Sequence, residues 1–277
     1  MGLGYYLLRS FDEPHAGVAE LADAYGSGPY GVRPMGVQVP SPAPETPAVR
    51  TNGFFIKLRE QESLMTYAAY IFDLDGTLLN TLPDLVRLTN MVLEQREWPQ
   101  RTEGEILSYV GNGGRMLLKR AAPEWASEAE IEEAFVEWQK LYPTYGHALT
   151  EPYEGIPETL AQLKAKGAKL GVLSNKFDEA AQEVIARHFP GLFDVVRGEC
   201  AEIPRKPDPR GLQNMLAQMG ITPQQLAYVG DSDTDMRVAV AVGALPVGVS
   251  WGYRPVKELE EAGAQTVINS PEELLAL

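Results

Sequence analysis

Three short apolar runs constrain this chain most, because each stops at a polar residue suited to chemistry. Ala68-Ala69-Tyr70-Ile71-Phe72 stops at Asp73, Leu170-Gly171-Val172-Leu173 at Ser174, and Leu226-Ala227-Tyr228-Val229-Gly230 at Asp231. Apolar runs without alternation suit strands buried on both faces, as in a parallel sheet. Helical stretches precede the second and third runs. One covers Ile156 to Lys166, with Pro157 near its start and Gly167 after its end; the other covers Pro209 to Met219 and closes at Gly220. This alternation predicts an α/β fold with a doubly wound, Rossmann-like parallel-sheet core. Ligands of such sheets bind beyond the carboxyl ends of the strands, where Asp73, Ser174 and Asp231 fall.

Roughly a hundred residues separate the first two runs, whereas a crossover needs only a few tens. The surplus has helical spacing: Leu85, Leu88, Val92 and Leu93 share a face, Ile106, Val110 and Met116-Leu117-Leu118 form further clusters, and Ile131, Phe135 and Trp138 follow. It predicts an inserted all-α cap over 82–150, with the core made of 65–81 and 151–277. Residues 1–64 read differently. They are rich in proline and glycine, as in Pro40-Ser41-Pro42-Ala43-Pro44, and hold no sustained period. Codons for Ala16 to Ala24 can spell the 5′ part of a bacterial leucine tRNA gene, and codons for Gly36 to Pro40 can spell a T-arm. The expectation is a disordered or spurious extension, with the start of the protein near Met65. Mass spectrometry of the native N-terminus tests this; a peptide from residues 16–44 would contradict it.

Four polar segments carry candidate chemistry. In Asp73-Leu74-Asp75-Gly76-Thr77, residues i and i+2 of an extended chain point the same way, about 6–7 Å apart. Two carboxylates so placed can flank one phosphorus, one attacking while the other handles the proton of the leaving oxygen. Gly76 permits the sharp turn that follows. Ser174-Asn175-Lys176 offers hydroxyl and amide donors to phosphoryl oxygens. Arg205-Lys206-Pro207-Asp208-Pro209 supplies a cation between two stiffening prolines. Gly230-Asp231-Ser232-Asp233-Thr234-Asp235 gathers acids after a buried run, which suits either Mg²⁺ or the capped start of a helix.

The formal net charge of −14 disfavours nucleic acid and anionic membrane surfaces. It also opposes a phosphate ester, so any phosphate site needs its own cations. No segment approaches the roughly 20 apolar residues of a membrane span, and no secretory signal is evident. The single cysteine, Cys200, cannot form an internal disulfide, so a cytoplasmic setting is expected.

Taken in order, the four segments resemble the four motifs of the haloacid dehalogenase superfamily, over Tyr67 to about Leu277. The resemblance implies that Asp73 is a nucleophile forming an aspartyl-phosphate and that Asp75 is the general acid and base. It implies Mg²⁺ held by Asp73, Asp231 and the Asp75 carbonyl, with Asp235 supporting from behind. Ser174 and Lys206 would hold the transferring phosphoryl group. The presence of both Asp73 and Asp75 favours phosphatases over dehalogenases. Within the superfamily, Val110-Gly111-Asn112-Gly113-Gly114-Arg115, Ser174-Asn175-Lys176 and Gly248-Val249-Ser250-Trp251-Gly252-Tyr253 resemble the phosphoglycolate phosphatase family. That likeness implies 2-phosphoglycolate as substrate, with Thr77, Gly113, Arg115, Asn175 and Lys176 binding it. Alternatives are a phosphosugar mutase, a broad nucleotide or pyrophosphate phosphatase, and a silent binding relative, the last disfavoured because every key acid is present. The expected partner is a small phosphorylated metabolite, bound by a monomer or homodimer.

Overall fold

The structure, a computed structural model, describes residues 67–277, so the expectations for residues 1–64 and for a start near Met65 lie outside the described residues. In chain order the elements are β1 (Ala69–Phe72), β2 (Leu79–Asn80), α1 (Leu82–Gln95), α2 (Glu103–Tyr109), α3 (Gly113–Ala121), α4 (Glu128–Tyr145) and β3 (Glu151–Pro152). There follow α5 (Ile156–Ala165), β4 (Lys169–Phe177), α6 (Asp178–His188), β5 (Val195–Glu199), α7 (Arg210–Met219), β6 (Leu226–Gly230), α8 (Asp233–Val242), β7 (Leu245–Val249), α9 (Val256–Glu261) and β8 (Thr266–Ile268).

Six strands form one parallel sheet in the order β5-β4-β1-β6-β7-β8. The three strands expected to carry chemistry are thus neighbours, with β1 between β4 and β6. The chain winds outward on one side of β1 and then returns to its other side, which makes the end of β1 the switch point where such sheets bind ligands.

Alternation within the strands sorts their side chains between two helical layers. Tyr70, Phe72, Leu170, Val172, Ala227 and Val229 pack with Ile156 and Leu160 of α5 and Val184 and Ile185 of α6. Ala69, Ile71, Leu173, Leu226 and Tyr228 pack with Leu212 and Met215 of α7 and Val238 of α8. Each fully buried aliphatic side chain of this kind contributes roughly 1.5–3 kcal/mol. Gly167 and Gly220 follow their helices with φ of +90° and +63°, as C-terminal stops require. One expectation was too short: β4 runs on to Phe177, with a register shift against β5 between Leu173 and Phe177.

The four helices α1 to α4 bury a cluster of their own. Leu85, Leu88, Val92, Leu93, Ile106, Leu117, Leu118, Ile131, Phe135 and Trp138 all belong to it, whereas Met116 does not. Where this helical insert leaves and rejoins the sheet, β2 and β3 pair antiparallel, Leu79 opposite Pro152. Asp84 ties the same junction: its Oδ2 accepts from Leu149 N at 2.9 Å and Thr150 Oγ1 at 2.7 Å.

Candidate active site

The ends of β1 and β6, with β4 three residues before its own end, bring Asp73, Asp231 and Ser174 to one cavity of about 240 Å³, which Asp75 also lines. β1 delivers Asp73, whose N–H donates to Val229 O at 2.9 Å. Lys206 enters from the loop before α7. Its Nζ lies 2.8 Å from Asp73 Oδ1 and donates to Asp235 Oδ1 at 2.7 Å. Burial works against the charge on Lys206, but the Asp235 and Asp73 carboxylates overcome it and hold the ammonium firmly protonated.

The acids of the last motif divide their work. Asp235 is fully buried and caps α8, its Oδ2 accepting from Ser232 N at 3.0 Å and Ser232 Oγ at 2.6 Å. Its Oδ1 also takes Tyr228 OH at 3.2 Å. Asp233 pairs with Arg237 one turn along α8. Asp231 faces the cavity; its Oδ1 accepts from Thr77 Oγ1 at 3.0 Å and its Oδ2 from Tyr253 N at 2.7 Å. The helix-cap reading of this motif therefore holds for Asp235, and Asp231 is left facing the cavity.

Two glycines allow this packing. Gly76 sits at φ +86°, and a Cβ there or at Gly252 would overlap the Asp231 carboxylate. Burial, then Asp235, pushes the Asp231 carboxyl up to about 7. Asp73 is raised well above the ordinary range by burial, then by Asp235, against the pull of Lys206.

Asp73, Asp231 and Asp235 each place an oxygen within 4.8 Å of the others. Asp235 is spent on Lys206, Tyr228 and Ser232, so Asp73 and Asp231 are left as oxygen donors. Mg²⁺ usually takes one or two carboxylates from a protein. Their crowding without enough cations, visible in the raised carboxyls, fits a divalent ion.

Asp75 is held from two sides, by Thr81 Oγ1 at 2.7 Å and Lys176 Nζ at 3.1 Å. Burial disfavours the Lys176 ammonium, but Asp75 and Tyr142 more than offset this and raise it above its ordinary value. Tyr142, from α4, lies beneath Lys176 with the ammonium 5.2 Å from its ring centre.

Three residues expected to contact substrate have protein partners in the structure. Thr77 is fully buried and spends its hydroxyl on Asp231. Asn175 spends its amide on the backbone, donating to Gly111 O at 3.0 Å and Lys206 O at 3.3 Å while accepting from Lys206 N at 2.7 Å. Arg115 is half exposed and does not line the cavity; it pairs with Glu132 and stacks 4.8 Å from the Phe135 ring centre. Gly113, Asn175 and Lys176 do line it.

Sequence reasoning missed Thr81, Tyr142 and Arg254. Arg254 donates to Leu107 O at 3.1 Å and Val110 O at 2.5 Å, joining the loop after β7 to the end of α2. No spacing signals Tyr142 and Arg254, whose partners lie far along the chain, whereas Thr81 reaches Asp75 across only six positions, through the turn at Gly76. Tyr253, in sequence only part of a resembling tail, donates its N–H to Asp231 and accepts at its hydroxyl from Thr81 N at 3.0 Å.

Residues 70–249 match the sequence pattern of the haloacid dehalogenase-like hydrolase family, and the chain belongs to that family. It is 32% identical over 215 residues to a phosphoglycolate phosphatase of Haemophilus influenzae, covering 74% of this chain and 96% of the relative. It is 30% identical over 217 residues to an N-acetylmuramic acid 6-phosphate phosphatase of Pseudomonas aeruginosa, covering 76% of this chain and 94% of that one. A crystal structure of a predicted phosphoglycolate phosphatase from Haemophilus somnus matches with a TM-score of 0.72 at 28% identity, over 76% of this chain and 98% of that chain. The chain is thus an enzyme of the hydrolase class. No helix among the described residues is long and apolar enough to cross a membrane.

Proposed function

We propose that this protein is a Mg²⁺-dependent phosphate monoester hydrolase working through an aspartyl-phosphate on Asp73. The observation that carries the proposal is the meeting, at one strand end, of the Asp73 carboxylate, the Lys206 ammonium 2.8 Å away and Asp231. Asp73 attacks phosphorus, and the ester oxygen leaves with a proton from Asp75. Asp75 then takes a proton from the water that attacks the acyl phosphate, so one residue serves both half-reactions. Ser174 and Lys206 hold the phosphoryl oxygens. Asp73, Asp231 and the Asp75 carbonyl would hold Mg²⁺, which supplies charge neutralisation that lets a carboxylate approach a dianion.

In this reading residues 82–150 act as a cap over a core of 65–81 and 151–277. The name of the Haemophilus influenzae relative supports 2-phosphoglycolate as the first substrate to try. The amino end of α3 supports it, because Gly113 and Gly114 line the cavity and the helix has no side-chain cap there. Of the cations expected to hold its carboxylate, Lys176 lines the cavity and Arg115 does not. Phosphate release with Mg²⁺, with a chelator, and by Asp231→Asn tests the proposal. Loss of release in the last two is expected; full activity under chelation would contradict the metal assignment.

A further inference from the structure

α2 ends in carbonyls that its own backbone does not use. Ile106 O accepts from Val110 N, but the chain then leaves the helix, with Val110 at ψ 158° and Gly111 at φ +110°. Leu107 O thereby loses the N–H four residues on that a continuing helix would offer. The core supplies the partners instead. Arg254, after β7, donates to the carbonyls of Leu107 and Val110, and Asn175, on β4, donates to that of Gly111. A cation at the carboxyl end of a helix is also favoured by the helix dipole.

Both donors stand on braced backbone. Asn175 shares its amide with the backbone of Lys206. Arg254 follows Tyr253, whose N–H is fixed on Asp231 and whose hydroxyl is fixed on Thr81. The turn itself is shaped for close approach. A Cβ at Gly113 would come within 3.1 Å of Asn175 O and 3.2 Å of the Arg205 guanidinium. The core therefore grips the helical insert by main-chain atoms, at the turn that leads into the amino end of α3. Gly113 and Gly114 of that end line the cavity.

Resting on the phosphate monoester reading above, we propose that Arg254 is a positioning residue: with Asn175 it holds the turn at 110–113 and so seats the amino end of α3 over the cavity. Two of its guanidinium nitrogens are on carbonyls and the third faces Glu258 at 3.8 Å, so it acts through the turn rather than on substrate. Without this hold a smaller fraction of molecules has α3 in place. Apparent affinity falls by that fraction, while the rate from the seated state is kept.

The test compares wild type with Arg254→Met, which keeps the stem and removes the donors, and with Arg254→Lys, which returns one ammonium. Two quantities are read: amide hydrogen exchange by mass spectrometry, and kcat and KM with Mg²⁺ for whichever of 2-phosphoglycolate and p-nitrophenyl phosphate the wild type hydrolyses faster. For Arg254→Met, exchange over 111–117 should quicken about tenfold or more while β1 and β6 keep their protection. KM should rise about tenfold or more with kcat within about threefold, the scale of hydrogen bonds from a charged group. Arg254→Lys should recover part of both. Unchanged exchange over 111–117, an unchanged KM, or a lysine variant no better than the methionine one would overturn the proposal and leave the monoesterase reading intact. Faster exchange spread equally through β1 and β6 would make Arg254 a general stability residue and overturn it too. Hydrolysis of neither ester by the folded wild type would instead remove the monoesterase reading and this proposal with it.

Discussion

Lys206 owes its position beside Asp73 to two neighbouring side chains. Asn175 fixes its backbone from both sides and Asp235 fixes its ammonium, so Lys206 reaches Asp73 on a braced loop. Arg115 is the contrasting case. Its guanidinium is paired with Glu132 outside the cavity, so Arg115→Ala should leave kcat/KM within about twofold of wild type, as for a surface position. A tenfold loss in steady-state assays would show that Arg115 does reach the substrate. Asp73, Asp75 and Asp231 could be found in sequence because each lies where a buried run ends, and a strand end points at the ligand crevice. The partners of Thr77 and Asn175 could not, since Thr77 meets Asp231 across 154 positions and the partners of Asn175 lie 31 and 64 away. Local spacing carries no information about such partners.

Among the elements, the helices of the insert are bounded by local chemistry. α4 begins with a capping box in which Ser127 Oγ accepts from Glu130 N at 3.3 Å and the Glu130 carboxylate accepts from Ser127 N at 2.8 Å. Ser127→Ala should cost about 1 kcal/mol in urea denaturation, the usual cost of losing such a cap. An unchanged midpoint would mean that α4 is held by packing alone.

The linker after α4 places buried His147 edge-on to Tyr142, 4.8 Å between ring centres. Burial lowers His147 below its ordinary 6.5; Lys176 and Arg187 act the same way, against Glu183 and Asp84. The unfolded chain then takes the proton first, so the neutral ring's stabilisation is whole above about pH 6.5 and declines as pH falls through that value. Thermal melts between pH 7.5 and 5.5 should therefore show a steeper loss in wild type than in His147→Gln. Equal slopes would remove His147 from the account. The helices and their faces were legible because a 3.6-residue period is written locally. The extension of β4 to Phe177 was not, because Asn175 and Lys176 are polar residues that become buried only once the insert covers them.

At the scale of the molecule, the proposed reaction asks a chain of net charge −14 to hold a dianionic substrate in a cavity floored by aspartates. Lys206 and the proposed Mg²⁺ act locally against a repulsive overall field. Salt screens that field with a Debye length of about 10 Å at 0.1 M. Raising ionic strength at fixed free Mg²⁺ should lower KM while kcat stays near its starting value. A KM that rises with salt would point to an attractive field that the sequence does not supply. The sheet order could be anticipated only in part. Alternating strands and helices announced a parallel sheet, but the placing of β4 and β6 on either side of β1 is a matter of long-range pairing. That placing is what brings Ser174, Asp73 and Asp231 together, and the account depends on Asp73 being the group that attacks. The most direct measurement is Mg²⁺-dependent phosphate release by Asp73→Asn beside wild type, on whichever ester the wild type hydrolyses best. The nucleophile assignment predicts a loss of about a thousandfold or more, with Lys206 and Asp231 still in place. Activity close to wild type in a folded Asp73→Asn protein would contradict it.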